Sequence, residues 1–328
     1  MNQPLLQVEN LSKTFPGRSG LLTRSRPGVR AVVDVDLRVE RGRTLGVVGE
    51  SGCGKSTLAR MLVGLLTPSA GRVRLGDEDL VALRTRDPRT FHGQVQFVFQ
   101  DPLASLNPRK TVRQILTGPL QTLTDLDRKE REARLHELMA MVNLRPEFIE
   151  RYPHEFSGGQ AQRIAIARAL APDPDLLVLD EPVSALDVSV QAQVLKLLGR
   201  LRRDLGLTYV FISHDLAVVE HLSDRVAVMY LGAVMEEAPR EALFARPHHP
   251  YTRVLLRSVP VPGRKHIGTR ELHGEPPDPA DPPPGCPFAP RCYRAEARCH
   301  AERPPLSTVA GRRLACFFPD ESDWATAS

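Results

Sequence analysis

The chain has 328 residues, of which 41% are apolar and 25% charged, a composition typical of a soluble protein large enough for one or two domains with a hydrophobic core. Its net charge of +5 is scattered without a basic block, which argues against a nucleic-acid partner. No apolar stretch approaches the roughly 18 residues of a membrane span, and the N-terminus MNQPLLQVEN lacks the features of a signal peptide, so we expect a cytosolic protein.

Short apolar runs recur along the chain, separated by segments with helical spacing. They show no alternation of apolar and polar residues, so they predict strands that are covered on both faces. The five runs are TLGVVG (44–49), VQFVF (95–99), LLVLD (176–180), TYVFIS (208–213) and VAVMYL (226–231). Between the third and fourth, Val194 and the leucines after it keep helical spacing up to Gly206. The alternation predicts an α/β fold with a mainly parallel core.

Residues 101–156 differ from this body, because DPLASLNPR resembles a loop and residues 127–142 predict a helix. Asp127 and Glu130 are placed as the capping box of that helix. We therefore expect a helical subdomain at about 101–170. Beyond the body, the dense prolines of residues 259–285 predict a stiff, extended linker.

A phosphate-binding motif follows the first predicted strand. Residues 49–56 are GESGCGKS, which fits the pattern G-x-x-x-x-G-K-[ST] at every fixed position. The motif could also be a glycine-rich turn with an exposed lysine. This interpretation is weaker, because a predicted strand precedes the motif and a predicted helix follows it. Backbone N–H groups should wrap the phosphates of a nucleotide, Lys55 should reach its β- and γ-phosphates, and Ser56 should bind Mg²⁺. The expected nucleotide contacts here are Gly49, Ser51, Gly52, Cys53, Gly54, Lys55, Ser56 and Thr57.

Two carboxylates end the third predicted strand, at the edge where α/β sheets bind ligands. Asp180 is expected to hold Mg²⁺, directly or through water, and Glu181 to polarise the attacking water. An apolar run that ends in two acids is weak evidence alone, since many strands end in acidic turns. Together with the phosphate-binding motif at residues 49–56, called the P-loop below, it indicates a nucleotide-hydrolysing site.

Two adjacent glycines begin the predicted helix at FSGGQAQRIAIARALA (156–171). Each costs roughly 1 kcal/mol relative to alanine inside a helix. Because residues 49–57 already hold the phosphates, a second glycine-rich helix start is redundant within one subunit. We expect Gly158 and Gly159 to close their amides on a γ-phosphate bound to another subunit, with Ser157 adding a hydroxyl. The structural alternative is the capped start of a buried helix.

SGGQ at 157–160, with the P-loop upstream and LLVLDEP downstream, resembles the signature of the ATP-binding cassette (ABC) family. The resemblance implies a P-loop NTPase core with an antiparallel β portion and a helical subdomain. It also implies that two cassettes sandwich two ATP molecules head to tail, so that each site joins one subunit's P-loop to the other's signature.

The other ABC elements follow in the family's order. Gln100 resembles the Q-loop residue that senses the γ-phosphate and the membrane partner, Asp187 ends a D-loop-like SALD, and His214 resembles the H-loop residue. Phe15 sits where the family stacks an aromatic ring on adenine. The implied catalytic residues are Glu181, His214 and Gln100, and the implied Mg²⁺ ligands are Ser56, Gln100 and Asp180. The implied nucleotide contacts outside the P-loop are Phe15, Gln100, Ser157, Gly158, Gly159, Gln160 and Asp187.

Longer stretches resemble the ATPase subunits of oligopeptide and dipeptide importers, and most closely the second, F-type, of the two paired ATPases. These are QDPLASLNPR (100–109), RYPHEFSGGQ (151–160), DEPVSALDVSVQAQV (180–194), SHDLAVVEHLSDRVAVMYLG (213–232) and HPYTRVLL (249–256). The resemblance divides the chain into a nucleotide-binding domain (1–258), the linker (259–285) and a cysteine-bearing tail (286–328).

This resemblance also implies partners: a second ABC ATPase in a heterodimer, two integral membrane permease subunits and, indirectly, an extracytoplasmic substrate-binding protein. The chain would lie peripherally on the cytoplasmic face of the cell membrane. A permease coupling helix would enter the groove between the α/β body and residues 101–156. Two other functions stay open, an importer of nickel or another small solute and a soluble ABC ATPase that acts on nucleic acid or ribosomes.

The tail carries four cysteines with the spacing C-x5-C-x6-C-x16-C, namely Cys286, Cys292, Cys299 and Cys316. A reducing cytosol argues against disulfides, whereas four thiolates can bind an iron–sulfur cluster or a structural zinc ion. Neither the C-x2-C zinc spacing nor a ferredoxin spacing is present. Because related importer ATPases resemble this pattern and carry a [4Fe–4S] cluster, we expect that cluster first, zinc second and unligated cysteines third.

Overall fold

The structure is a computed structural model and describes residues 4–17, 28–258 and 274–321. Most of the predicted linker (residues 259–273) and the end of the predicted tail (322–328) lie outside the described residues, as do residues 1–3 and 18–27. Among the helices that are described, none is both long and apolar enough to cross a bilayer.

Twelve strands lie in the described part of the chain. In chain order they are β1 (Pro4–Phe15), β2 (Val29–Glu40), β3 (Thr44–Val48), β4 (Ala70–Leu75), β5 (Glu78–Asp79), β6 (Val95–Val98), β7 (Leu176–Asp180), β8 (Thr208–Ile212), β9 (Arg225–Tyr230), β10 (Ala233–Pro239), β11 (Ser307–Val309) and β12 (Arg312–Leu314). They form a large sheet in the order β11-β12-β10-β9-β3-β8-β7-β6 and a small one in the order β2-β1-β4-β5.

The described residues also form twelve α-helices. In chain order they are α1 (Lys55–Leu62), α2 (Leu80–Arg86), α3 (Pro88–Gln94), α4 (Pro102–Ser105), α5 (Val112–Leu123), α6 (Arg128–Met141), α7 (Gly158–Leu170), α8 (Val188–Leu205), α9 (Leu216–Leu222), α10 (Arg240–Ala245), α11 (Pro250–Arg257) and α12 (Ala297–Ala301). The predicted helix before Gly206 is α8, and Gly206 ends it in the left-handed conformation, with φ of 66°.

The centre of the large sheet is parallel, since β6, β7, β8, β3 and β9 pair in one direction. Every residue of β3, β7 and β8 is buried. Strands that are covered on both faces are continuously apolar, so the predicted α/β fold with a parallel core is confirmed. The observed strands stop one residue before the predicted ends at Gly49, Phe99, Ser213 and Leu231, and β9 begins one residue earlier than predicted, because pairing with the neighbouring strands ends at Val48, Val98, Ile212 and Tyr230.

The small sheet is antiparallel and packs on the same side of the body as α1. Leu6 pairs with Val39 and Val8 with Leu37 across β1 and β2. These side chains share a buried cluster with Leu58 of α1 and with β3. The antiparallel portion implied by the family resemblance is therefore present, and it holds the helix that follows the P-loop.

The helical subdomain contains α4 to α7. Asp127 and Glu130 form the predicted capping box of α6, which begins one residue later and ends one residue earlier than predicted because Asp127 is the N-cap. Helix α7 is buried along most of its length and lies in one apolar cluster with β7 and α8. This packing fixes the N-terminus of α7, where the two glycines lie, relative to the α/β body.

The cysteine-bearing tail packs directly on the body. Strand β12 extends the large sheet by pairing with β10, with Leu314 opposite Glu236. Phe288 of the tail is fully buried and contacts the rings of Tyr230 and Tyr251. Because four of its buried residues, Cys286, Phe288, Ala289 and Cys299, belong to the body's own apolar cluster, the tail is stabilised by docking on the body.

Candidate nucleotide-binding site

The P-loop joins β3 to α1 and needs glycine at two positions. A Cβ on Gly54, whose φ is 102°, would lie 2.1 Å from the carbonyl oxygen of Ala31, and a Cβ on Gly49 would lie 2.2 Å from that of Met229. Neither backbone contact leaves room for a side chain. The close approach of neighbouring backbone therefore requires both fixed glycines of the motif.

Lys55 is the buried cation of the loop. Its Nζ donates hydrogen bonds to the carbonyl oxygens of Gly49, at 2.7 Å, and Glu50, at 2.9 Å. The Lys55 side chain therefore lies folded back along the loop that is predicted to bind the phosphates. Phosphate oxygens carry more negative charge than carbonyls, so they would compete for the same three N–H donors.

Two of the three expected Mg²⁺ ligands, Ser56 and Asp180, are in contact with each other. The Ser56 hydroxyl donates to Asp180 Oδ1 at 3.1 Å, and Asp180 is only 6% exposed. Burial raises the pKa of this carboxyl above its usual value, and the hydrogen bond from Ser56 opposes the shift. A hydroxyl and one carboxylate suit Mg²⁺, which usually keeps several waters and adds substrate phosphates.

The three predicted catalytic residues meet at one carboxylate. Glu181 Oε2 accepts from Gln100 Nε2 at 3.1 Å, and Glu181 Oε1 lies 3.1 Å from His214 Nδ1. The backbone of Glu181 has φ of 48°, a left-handed conformation that costs a non-glycine residue about 1–3 kcal/mol. The hydrogen bond from its N–H to Ile212 O, at 2.9 Å, holds the turn. Such strain is typical of functional sites.

These elements surround one cleft of about 540 Å³. The predicted site residues that line it are Ser51, Gly52, Gly54, Lys55, Ser56, Thr57, Gln100, Glu181 and His214. Sequence reasoning missed the remainder of the lining, which is Val29, Arg30, Ala31, Leu231, Gly232 and Pro279. The size fits a nucleotide, since ligand pockets commonly measure about 300–1,000 Å³.

The SGGQ segment does not line this cleft. Ser157 and Gln160 form the capping box of α7, with Ser157 N–H donating to Gln160 Oε1 at 3.1 Å. A Cβ on Gly159 would lie 2.3 Å from Val190 Cγ1 of α8. The second glycine thus has a structural cause that the sequence did not reveal. Ser157 and Gly158 are exposed, as a contact with another subunit would require.

Four further predicted nucleotide contacts, Gly49, Phe15, Cys53 and Asp187, lie outside the cleft lining. Phe15 ends β1 opposite Val29, is 37% exposed and has Lys13 Nζ 5.4 Å from its ring centroid. Cys53 is buried with its Sγ 3.8 Å from Lys55 Nζ, and burial raises its pKa. Asp187 is the exposed N-cap residue of α8. Phe15 and Asp187 therefore remain predictions, while Cys53 faces the body.

The four tail cysteines line one small cavity, of about 10 Å³, beside His249 and Phe288. Burial raises the pKa of Cys292 to about 11 and that of Cys316 to about 12. Within residues 4–17, 28–258 and 274–321, no group of three or more His, Cys, Asp or Glu side chains is arranged to hold a metal ion. The donor chemistry suits iron or zinc, but the thiols would have to move and lose protons before they could bind.

Comparison with known proteins agrees with this geometry. The family described as "ABC transporter" matches residues 32–184, and the one described as "Oligopeptide/dipeptide transporter, C-terminal region" matches residues 235–299. A probable peptide ABC transporter ATP-binding protein (y4tS) of Sinorhizobium fredii is 51% identical over 96% of this chain and 90% of its own length. The dipeptide transport ATP-binding protein DppF of Escherichia coli is 47% identical over 98% of this chain and 97% of its own.

Solved structures place the same fold in ABC proteins. The dimeric ATP-binding cassette MJ0796, in a post-hydrolysis state bound to ADP and phosphate, superposes with a TM-score of 0.63 at 29% identity, over 72% of this chain and 98% of that one. The cassette cbiO1 of Clostridium perfringens gives 0.63 at 27% identity, over 74% and 92%. The chain therefore belongs to the ABC ATPases, in the group of ATP-binding proteins that carry the oligopeptide/dipeptide transporter C-terminal region.

Proposed function

We propose that this chain is the ATP-hydrolysing subunit of an importer that carries di- and oligopeptides through a membrane permease. The observation that carries the proposal is the meeting of Gln100, Glu181 and His214 at the mouth of the P-loop cleft. The peptide cargo is supported by relatives that match nearly the whole chain and serve peptide, dipeptide or oligopeptide transport. The binding protein and permease select the cargo, so nickel or another small solute is the alternative.

The roles of the site residues follow from their contacts. Lys55 and the loop amides would bind the β- and γ-phosphates, while Ser56 and Asp180 would hold Mg²⁺, which neutralises charge that develops on the phosphates. Glu181 would orient the attacking water and accept its proton. His214 and Gln100 hold the Glu181 carboxylate from both sides, so a γ-phosphate entering the cleft would rearrange all three side chains together.

A second ATPase subunit is needed to complete each site. Gly158 and Ser157 are exposed and lie outside their own chain's cleft, and Val188, just after Asp187, is 82% exposed. These features suit a face that is covered by a partner. We propose a heterodimer in which the SGGQ segment of this chain closes on ATP bound by the other ATPase.

The permease would bind beside Gln100, which lies two residues after the end of β6. Phe99 and Leu103, on either side of that residue in sequence, are 39% and 46% exposed, and Tyr152, between α6 and α7 of the helical subdomain, is 41% exposed. Exposed apolar side chains of this size favour a protein contact. Gln100 would report nucleotide occupancy to two permease subunits, which hold the chain on the cytoplasmic face of the membrane, with a substrate-binding protein on the other side.

For the tail, we propose a [4Fe–4S] cluster on Cys286, Cys292, Cys299 and Cys316, with Zn²⁺ as the alternative. Support comes from the four thiols that line one cavity and from the preference of both metals for thiolate. Iron and acid-labile sulfide in anaerobically purified protein test it. Zinc without iron would overturn the first choice, and neither metal would leave free thiols.

Glu181→Gln in the assembled complex tests the catalytic assignment. The substitution keeps the shape of the side chain but removes its basicity, so we expect steady-state ATP hydrolysis and uptake of a labelled tripeptide to fall at least about a hundredfold, while ATP still binds. Glu220→Gln, an exposed glutamate of α9, is the matched control. Unchanged hydrolysis in Glu181→Gln would refute the role of this base, and labelled nickel uptake without peptide uptake would move the cargo to the alternative.

A further inference from the structure

Glu50, the second residue of the P-loop motif, is held by parts of the chain that the nucleotide mechanism does not use. Its N–H donates to the Tyr251 hydroxyl of α11 at 3.0 Å. Its carboxylate oxygens accept from Arg291 of the tail at 3.0 and 3.2 Å. Glu50 does not line the nucleotide cleft. These contacts therefore act on the loop itself.

The anchoring groups are largely shielded from solvent. The Arg291 side chain is 6% exposed and that of Glu50 20%, so this ion pair is screened little by solvent. Arg291 also donates to the Tyr230 hydroxyl at 3.1 Å. Tyr230, Tyr251 and Phe288 form a cluster with ring centroids 4.7 to 5.4 Å apart. Aromatic packing of this kind fixes the hydroxyl and guanidinium groups that reach the loop.

The anchors and Lys55 use different atoms of Glu50. Lys55 bonds the carbonyl oxygen, whereas Tyr251 and Arg291 bond the N–H and the carboxylate. When Lys55 turns to the phosphates, the loop loses those carbonyl contacts and keeps the other two. The tail and α11 can thus maintain the loop geometry through nucleotide binding.

We propose that the C-terminal tail is a positioning element for the P-loop, with Arg291 and Tyr251 as the positioning residues. Fixing the backbone of a flexible loop costs conformational entropy. A loop that is already ordered in the free protein avoids that cost when it binds phosphates. The inference rests on the P-loop being the nucleotide site. It gives the HPYT segment and the tail a direct role in nucleotide affinity.

A double-mutant cycle on the full-length chain tests the coupling. Binding of a fluorescent N-methylanthraniloyl ATP with Mg²⁺ is measured for Arg291→Gln, Glu50→Gln and the double variant. Loss of a charge-assisted hydrogen bond predicts a dissociation constant about tenfold higher for Arg291→Gln. Because the two residues are in contact, the double variant should be no weaker than the worse single variant. Additive losses would overturn the proposal.

Matched variants separate positioning from simple docking of the tail. Arg313→Gln removes a different contact between tail and body, the ion pair with Glu237 at 3.0 Å, and should leave nucleotide affinity unchanged. Tyr251→Phe removes only the hydroxyl that accepts from Glu50 and should weaken binding severalfold. Equal weakening by Arg313→Gln and Arg291→Gln would mean that loosened docking is the cause, and would overturn the positioning role.

Kinetics of the assembled complex give a second readout. Glu181, Gln100 and His214 are untouched by these substitutions, so we expect the KM for ATP to rise in Arg291→Gln while kcat stays within about twofold. A fall in kcat at constant KM would contradict the inference. If the wild-type chain fails to bind the nucleotide, the proposed function itself fails. Normal binding by both the wild type and Arg291→Gln refutes this inference alone.

Discussion

Replacing Gly159 with alanine isolates the structural cause of the second signature glycine. The new Cβ would lie 2.3 Å from Val190 Cγ1, about 1.5 Å inside an ordinary carbon–carbon contact. The valine side chain is stiff in a helix, because one χ1 rotamer is strongly preferred. Overpacking of this kind typically costs about 1–3 kcal/mol. An approach of 2.3 Å is a severe overlap, so we place the cost in the upper part of that range, at about 2–3 kcal/mol. Alanine returns at most about 1 kcal/mol of helix propensity, so we expect a net destabilisation of at least about 1–2 kcal/mol.

Urea denaturation followed by circular dichroism measures this change in the purified chain without nucleotide. Gly158→Ala is the matched control, since its Cβ would lie 3.2 Å from Leu186 Cδ2, the end of a flexible side chain. It should change the midpoint little. Val190→Ala combined with Gly159→Ala should recover most of the loss, because the overlapping methyl is gone. An unchanged or raised midpoint in Gly159→Ala alone would refute the reasoning.

Two further predictions concern the docked tail. Phe288→Ala should destabilise the protein by about 3–5 kcal/mol and expose the tail to limited proteolysis, because the ring is fully buried. Phe317→Ala removes a half-buried ring and should destabilise the protein clearly less. Equal effects of the two substitutions would contradict the proposed docking. Burial lowers the pKa of His249 to about 3, so between that value and about 6.5 the unfolded chain binds more protons than the folded one, and stability should fall as the pH drops through this window. Denaturation midpoints at pH 7 and pH 5 check this, and His249→Asn, which keeps an acceptor for Tyr251 N–H, should show a shallower fall; an identical slope would show that His249 is not responsible.

The residues expected at the centre of the site lie together in the structure, and the sequence signals that pointed to them are local. The P-loop, the acidic strand end and the capping box are each only a few residues long, and each is recognised from residues that are close together in the chain. The apolar runs predicted all five parallel strands for the same reason. Four strand ends differed by one residue, because a strand ends where pairing with its neighbours stops, and that depends on the partner strands rather than on local preference.

Contacts between distant segments could not be predicted in this way. Arg291 and Glu50 are separated by 241 positions, and nothing in either local pattern indicates the other. The approach of Gly159 to Val190 depends on how α7 packs against α8, so the sequence could suggest a contact with another subunit or a capped helix start but not this overlap. A family pattern has the same limit. It suggested that Phe15 stacks on adenine, but Phe15 is not among the residues that line the cleft. HPYT was recognisable as a motif, yet its tyrosine acquires a role only from the fold.

The most direct test of the account is the structure of the assembled complex that carries Glu181→Gln and is trapped with Mg·ATP. We expect two closed cassettes, with the amides of Gly158 and Gly159 within hydrogen-bonding distance of the γ-phosphate of ATP bound by the other ATPase, and Lys55 of this chain on its own nucleotide. Cassettes that stay separate with ATP bound, or an SGGQ segment remote from every nucleotide, would contradict the account.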